Sequence, residues 1–234
     1  MLLFVRISFV FFFVSQAEMM RQILPALLFF SFLPAVNGQY IDLLPNRSLH
    51  HWMTGEGNSV EKGWTFDADG ALHLASRGGN IVTRQEFADF ELWFEFRISE
   101  KGNSGIKYRV RKYGPSLLGC EFQILDDSAF PKLPRKQVTA SLYDVFQPRS
   151  QPTRTNPVGE YNIGKVEVRG NHLRHWVNGQ ITIDECAGSA RWADHIAQSK
   201  FHDRPGFGQN RCGRIMLTDH NSEVWYRNVY IRRL

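Results

Sequence analysis

The sequence has little cysteine and little excess charge of either sign. Its 234 residues include three Cys, and 28 Lys and Arg stand against 23 Asp and Glu. An odd number of cysteines allows at most one internal disulfide, and no Cys-X-X-Cys or Cys/His spacing typical of zinc sites occurs. The small positive surplus gives no reason to expect a nucleic-acid partner. These counts exclude a disulfide scaffold, and the ordinary apolar content excludes a wholly disordered chain.

Motifs of several large enzyme classes are also missing. The sequence contains no GxSxG, GxGxxG, P-loop or HExxH, so serine hydrolases, dinucleotide and nucleotide enzymes and zincins lose their sequence support. Beyond residue 39 no long stretch has helical periodicity. A parallel α/β fold is therefore disfavoured, because it needs crossover helices.

The apolar residues are concentrated at the start of the chain. Two apolar runs, residues 2–14 and 23–36, are each shorter than the roughly 20 residues of a transmembrane helix. The second run resembles a secretory signal, since it follows a positive charge and ends at small residues. We predict that residues 1–38 are a signal region, with translation starting at Met19 or Met20. The protein would then be exported to the periplasm or outside the cell, with no membrane span after cleavage.

An uncleaved membrane anchor is the alternative interpretation. Prolines inside the second apolar run weaken it, because interior prolines disrupt a helix. No cysteine lies near the expected cleavage site to carry a lipid.

Residues 39–234 are predicted to form a single domain built from short strands. In residues 90–98 the even positions are apolar, and the odd positions are charged or Trp93, as in a half-buried strand. The hairpin signal Asn178-Gly179 joins two further strands. The remaining predicted strands cover 71–75, 106–110, 120–124, 166–168, 173–177, 181–183, 214–218 and 224–231, with a short helix at 187–197. We therefore predict an all-β, two-sheet antiparallel jelly-roll sandwich of the concanavalin A-like type.

Polar faces of these strands are candidates for binding. If the strands are neighbours, one face would carry Glu95, Arg97, Lys107, Arg109, Glu121 and Gln123 together with the ring of Trp93. Such donors and acceptors beside an indole suit the hydroxyls and the apolar face of a sugar. A solvated surface would show the same alternation. The exposed loop at 148–157 is expected to border whatever the sheets bind.

Two further positions could carry chemistry. His220 closes a strand at a turn, where a histidine can act as a general base with Asp219 or another carboxylate orienting it. Asp126 and Asp127 follow a strand, and one of them could bind Ca²⁺ or cap the next loop. We predict no cofactor, with a structural or catalytic divalent cation such as Ca²⁺ left open.

Seven short motifs in order resemble one known family. They are Asn103-Ser104-Gly105-Ile106 followed by Arg109, the 119–127 strand with Glu121, Gln123 and Asp126, Ser141-Leu142-Tyr143, Gly159-Glu160-Tyr161-Asn162, His175-Trp176-Val177-Asn178-Gly179, the 213–220 strand ending at His220, and Arg227-Asn228-Val229. Together they resemble the 3-keto-disaccharide hydrolase domain family, over roughly residues 60–234. Two departures are Thr218, where that family usually has Gln, and Asn221, where it usually has Gly.

The resemblance implies cleavage of glycosidic bonds in sugars oxidised to a ketone at C3. Such a ketone acidifies the C2 proton, so a base can form an enolate that expels the C1 substituent, and water then adds. Under this hypothesis Glu121 or His220 is the base, Arg109 stabilises the enolate oxygen, and Asp126 assists protonation or holds a metal. The substrate-binding residues would be Asn103, Gln123, Tyr143, Trp93 and Lys107.

Two other functions stay open at this point. A non-catalytic, lectin-like module would bind glycans through Trp93, Tyr143 and Arg109 without needing Glu121. A structural or adhesion domain is the third hypothesis. The expected partner is an oligosaccharide or glycoside, and the oligomeric state is not determined by the sequence.

Overall fold

The structure is a computed structural model that describes residues 39–150 and 153–234. The predicted signal region, residues 1–38, lies outside the described residues. Within the described part of the chain, no helix has the length and apolar character needed to cross a membrane.

The described residues form thirteen strands and one α-helix. The strands are β1 Ile41–Asp42, β2 Trp52–Thr54, β3 Trp64–Phe66, β4 Leu72–Leu74, β5 Ile81–Thr83, β6 Phe90–Ile98, β7 Asn103–Tyr113, β8 Ser116–Leu125, β9 Asn162–Arg169, β10 His172–Val177, β11 Gln180–Cys186, β12 Arg214–Leu217 and β13 Val224–Arg233, and the helix is α1 Ala190–Ala197. Single 3₁₀ turns cover Pro45–Arg47, Asp127–Ala129 and Arg135–Gln137.

The strands are arranged in two antiparallel sheets. The large sheet has the order β11-β10-β9-β6-β13-β4-β3, and β1 also pairs with β13. The small sheet has the order β2-β5-β12-β7-β8. One apolar core contains residues of both sheets, and the outer face of each sheet is the face turned away from that core. The predicted all-β sandwich of jelly-roll type is confirmed.

Strand β6 shows how the alternation builds the core. Its bounds, Phe90–Ile98, are those predicted. The even positions are 0–5% exposed and pack in the core, whereas Trp93 and Arg97 are only partly buried on the outer face. The alternation of apolar and polar residues therefore correctly predicts which side of this strand faces the core.

Strand β7 does not keep its alternation. The prediction that Lys107 and Arg109 share one polar face is therefore wrong. A bulge shifts the register between Tyr108 and Arg111, and Arg109 adopts a φ of 50°. Val110 consequently leaves the core face and packs with Val82 and Met216 in a separate cluster on the outer face. An inserted residue turns the side chains that follow it to the opposite face of the sheet, and no residue type in this stretch signals the insertion.

Several elements are shorter or more numerous than predicted. Strands β1, β2, β3 and β5 have two or three residues, too few to display a period. The helix begins at Ala190 rather than at residue 187, because Ser189 caps it by accepting a hydrogen bond from the Trp192 N–H at 3.1 Å.

Candidate active site

Glu121 lies on the outer face of the small sheet, on its last strand. It belongs to β8 and pairs directly with Lys107 of β7. On its other side β8 is flanked by residues 140–143, where the Tyr143 N–H donates to the Glu121 carbonyl at 3.0 Å. Glu121 is only 4% exposed. The sheet thus places a carboxylate between a lysine and a tyrosine.

The carboxylate of Glu121 is incompletely paired. Oε2 is 3.7 Å from Lys107 Nζ, and Oε1 is 4.0 Å from His220 Nε2. Among the described residues Oε1 is buried and has no hydrogen-bond partner. Most buried carboxylate oxygens accept hydrogen bonds, so this one stands out within the site. No donor among the described residues occupies its lone pairs.

His220 joins the site from the loop after β12. Its side chain is 43% exposed. Burial lowers the pKa of His220 below its usual value; Glu121 opposes this shift, while Lys107 and Lys200 add to it. The imidazole is therefore neutral at pH 7 and has a lone pair that can accept a proton.

Asp219 does not orient the His220 ring, contrary to one of the two possibilities raised by the sequence. Its carboxylate accepts the backbone N–H groups of Gly78, Gly79 and Asn221 at 2.8–3.0 Å. Asp219 therefore anchors the loop that carries His220, and the carboxylate beside the ring belongs to Glu121.

Lys200 is a member of this site that sequence reasoning missed. Its Nζ lies 4.1 Å from the centre of the Tyr143 ring, and its backbone N–H donates to the Asp144 carboxylate at 2.7 Å. Partial burial lowers the pKa of Lys200, Glu121 opposes that shift and Lys107 adds to it. No motif surrounds Lys200, and its segment is held here by hydrogen bonds between distant parts of the chain, among them the Lys200 N–H to the Asp144 carboxylate and Lys136 Nζ to Gln198 O.

Tyr143 contributes a phenol to this face, in contact with Lys200. Burial raises its pKa, and the charges of Glu121 and Asp144 raise it further. The phenol therefore keeps its proton at neutral pH.

Two residues further along β8 from Glu121, Gln123 donates to Asn103 Oδ1 at 3.1 Å. The two predicted amide ligands thus lie on the same face as Glu121 and are bonded to each other.

The structure does not bring Arg109 to Glu121. The bulge of β7 turns the guanidinium towards the start of β6 and the β9–β10 turn, where it donates to Ala88 O, Gly170 O and Asp89 Oδ1 at 2.7–3.0 Å. Arg109 is 5% exposed. Its predicted role at the enolate oxygen is not supported by this placement, because each of its three nitrogens donates to a structural acceptor.

Asp126 caps a turn rather than facing the site. Its carboxylate accepts hydrogen bonds from Ser128 N, Ser128 Oγ, Ala129 N and Lys101 N. Burial alone would raise the pKa of Asp126, but these hydrogen bonds lower it overall. No group of three His, Cys, Asp or Glu side chains in residues 39–150 and 153–234 is arranged to hold a metal ion.

Trp93, Glu95 and Arg97 lie on the opposite side of the molecule. Strand β6 belongs to the large sheet and β8 to the small sheet. Their polar sides are therefore the two outer faces, separated by the core. The single face predicted for all these residues does not form, because alternation along a strand does not reveal which sheet the strand joins.

The loop predicted to border the binding face lines a different cavity. Residues 155–158 line a cavity of about 580 Å³ with Phe96, Ile98, Asp127 and other side chains at the ends of β6, β8 and β9. None of the Glu121 neighbours described above lines it.

Thr218 is part of the support under the site. It is fully buried, and its Oγ1 donates to Gly105 O at 3.2 Å. The hydroxyl is thus used inside the sheet, so the side chain does not stand in for a glutamine reaching a ligand.

The fold and this face define a class: a jelly-roll sandwich protein with a buried carboxylate beside two lysines on one outer sheet face. Residues 39–232 match the model of the 3-keto-alpha-glucoside-1,2-lyase-like domain. The chain belongs to that family, and the resemblance inferred from seven motifs is confirmed.

Individual relatives agree with this assignment. A 3-keto-disaccharide hydrolase of Bacteroides thetaiotaomicron is 27% identical over 237 residues, covering 86% of this chain and 81% of the relative. A Parabacteroides distasonis ATCC 8503 protein, proposed by its crystallographers to be a glycosyl hydrolase, is 28% identical with a TM-score of 0.75, covering 83% of this chain and 94% of that chain. A second such protein from that strain has a TM-score of 0.65 at 19% identity, covering 84% and 100%, and supports the fold alone.

Proposed function

We propose that this protein is an exported carbohydrate-active enzyme that cleaves the glycosidic bonds of 3-keto-disaccharides or other 3-keto-glycosides. The observation that carries the proposal is the buried Glu121 Oε1, which has no hydrogen-bond donor among the described residues and lies beside Lys107 and His220. The family and the names of its relatives support a carbohydrate substrate.

The proposed chemistry is elimination followed by hydration. A base removes the C2 proton, the C2–H electrons form the C1=C2 bond as the C1–O bond breaks, and the departing oxygen takes up a proton. Water then adds its hydroxyl to C1 and a proton to C2, which completes a net hydrolysis. The C3 ketone makes the first step accessible, because the charge that develops is delocalised onto its oxygen.

Glu121 is the proposed base. Its free oxygen is buried, so a proton on it would be held away from bulk water. Lys107 and Lys200 are the cations beside it, and they would stabilise the negative charge on the C3 oxygen in the role first assigned to Arg109. Tyr143, which keeps its proton, would donate to the departing oxygen.

His220 remains the alternative base. Its lowered pKa leaves it neutral at pH 7, and its Nε2 is 4.0 Å from Glu121 Oε1. Either group is therefore placed next to the other, and a positive charge formed on His220 would be stabilised by Glu121. Gln123, two residues from Glu121 along β8, and Asn103, to which it donates, are suited to bind sugar hydroxyls.

The geometry weakens the lectin-like alternative in its original form. That hypothesis combined Trp93, Tyr143 and Arg109 in one binding surface. Trp93 lies on the large sheet, and the Arg109 guanidinium is directed into backbone carbonyls and Asp89. No single face carries all three.

The proposal is tested with matched sugars. Purified protein is mixed with 3-keto-trehalose or 3-keto-lactose and with the unoxidised disaccharides, and products are followed by mass. We expect cleavage of the keto sugars only. Binding of keto sugars without cleavage would favour the lectin-like module, and cleavage of the unoxidised sugars would contradict the enolate route.

Export is a separate part of the proposal. The apolar stretch before residue 39 and the small residues that end it support a cleaved signal. Expression of the full chain should yield an exported product whose first residue is Gln39, as determined by N-terminal sequencing. A product that keeps residues 23–36 and stays with the membrane would favour the uncleaved anchor.

A further inference from the structure

Gly105 lies in the middle of β7 without any conformational need for glycine. It is not among the residues with positive φ, and a glycine inside a strand weakens the strand. A spatial reason is therefore expected. Gly105 pairs with Gln123, which places it on the outer face, next along β7 to Lys107 on that face.

The space above Gly105 is occupied by the carboxylate of Glu121. A Cβ at position 105 would lie 2.3 Å from Glu121 Oε1 and 3.1 Å from both Cδ and Cγ of the same side chain. Contacts under 3.0 Å essentially never occur for real Cβ atoms. The three nearest atoms all belong to Glu121, so the glycine serves this one side chain.

The strand cannot move aside to make room for a larger residue. The Gly105 carbonyl accepts both the N–H and the hydroxyl of Thr218, at 3.0 and 3.2 Å. The Ser104 hydroxyl donates to the Thr218 carbonyl at 2.8 Å. An added methyl group would therefore displace Glu121 rather than the backbone.

We propose that Gly105 is a positioning residue that holds the Glu121 carboxylate by leaving it a fitted space, in place of hydrogen-bond donors. Donors to Oε1 would also fix it, but they would occupy its lone pairs and lower its basicity. Fixing the carboxylate by packing keeps the oxygen both located and reactive. This inference rests on the proposed function for its catalytic meaning, whereas the steric pairing of Gly105 with Glu121 does not.

The test is a set of variants of the full chain: G105A, E121A, G105A/E121A and G105A/E121D. We expect G105A to lower the melting temperature by about 2 °C, because the carboxylate must leave its place but, as the far end of a flexible side chain, can do so at a small cost. In the E121A background the same change should cost almost nothing. G105A should also lower kcat about 100-fold with little change in KM, since an error of 1 Å in placement can cost that much. The shorter carboxylate of G105A/E121D should recover at least part of that loss.

Gly164 provides the control. It is also a strand glycine without positive φ, and a Cβ there would lie 2.2 Å from the Phe94 ring. G164A should destabilise the protein equally with or without Glu121. If G105A behaves in the same way, or keeps wild-type kcat/KM, the inference is overturned.

The melting temperatures separate this inference from the proposed function. If the wild-type protein does not cleave keto sugars, the proposed function and the catalytic meaning of Gly105 both fail. The steric pairing is judged independently, by whether E121A removes the cost of G105A.

Discussion

Glu91 and Glu121 occupy equivalent places on opposite sides of the sandwich. Each lies on the outer face of its sheet, and they are 6% and 4% exposed. One oxygen of Glu91 is well bonded: Oε1 accepts from the Tyr40 hydroxyl and from Trp93 Nε1, and Arg232 Nη2 lies 3.2 Å from it. Glu121 has one lysine at 3.7 Å and an oxygen without a donor in the described residues.

The two carboxylates differ in the hydrogen bonds that they accept, and this difference separates a structural carboxylate from a candidate base. Burial alone would raise the pKa of Glu91, but the hydrogen bonds from Tyr40 and Trp93 and the charges of Arg232 and Lys165 lower it overall. Such a carboxylate is a poor base whose donors bind it firmly. At Glu121 the sheet provides burial without donors to Oε1, which leaves a lone pair available.

Exchanging each glutamate for its neutral isostere should break the comparison most clearly. We expect E121Q to lower kcat/KM on a 3-keto-glycoside about 1000-fold, because general-base catalysis contributes 10²–10⁴-fold, with little change in unfolding free energy. E91Q should do the reverse, costing about 3 kcal/mol of stability because its cationic partners are left without a counter-charge, while activity stays within a few-fold. Kinetics and urea unfolding of both variants measure this. Equal effects of the two changes would contradict the distinction.

The lysines sharpen the same comparison. K107M and K200M should each lower kcat about 100-fold, the usual loss when one stabiliser of developing charge is removed. K165M is the matched control, since Lys165 accompanies Glu91 at 3.9 Å and contacts the Trp176 ring at 3.7 Å. It should leave kcat unchanged. A comparable loss in K165M would show that the effect is a general one of surface charge.

Both glutamates can be compared only where the core between the sheets is folded. The pKa of His175, which lies in that core, limits the pH range over which the protein keeps its full stability. Burial lowers the pKa of His175 to about 3. A histidine whose pKa is lowered by folding contributes full stability above its unfolded pKa of about 6.5, and stability falls as the pH drops towards 3, by up to about 1.4 kcal/mol per pH unit. Urea unfolding between pH 4 and 7.5 should show this slope, and H175Q should flatten it. A slope that persists in H175Q would assign the effect to other groups.

The smallest expected effect concerns Trp93. W93F removes the indole N–H that donates to Glu91 at 2.8 Å and should cost about 1 kcal/mol. Activity should be unchanged, because the residue lies on the other sheet. Loss of sugar binding in W93F, measured by calorimetry, would instead restore the lectin-like hypothesis for the large sheet.

The sequence allows the core-facing side of an individual strand to be predicted, but not which sheet the strand joins. Alternation correctly places Phe94 in the core, and the ordered motifs identify the family. Alternation cannot show that the strand of Trp93 and the strand of Glu121 belong to different sheets. It also fails at Arg109, where a bulge at positive φ occupies a position with no glycine or asparagine to signal it.

Other parts of the site depend on contacts between distant segments. Lys200 is held near Tyr143 by a hydrogen bond from its backbone N–H to the Asp144 carboxylate, which no local pattern predicts. Asp126 is a candidate acid from its position after Gln123, yet its place at the end of β8 makes it the cap of the next turn. Gly105 was visible in the motif, but its contact with Glu121 requires the pairing of β7 and β8.

The most direct test of the central claim follows the C2 proton of a 3-keto-glycoside in D₂O by proton NMR, with wild type, E121Q and E91Q. We expect wild type and E91Q to accelerate loss of the C2 proton together with cleavage, and we expect E121Q to slow proton loss about 1000-fold. Cleavage without loss of the C2 proton, or proton loss that E121Q leaves unchanged, would contradict the assignment of Glu121 as the base.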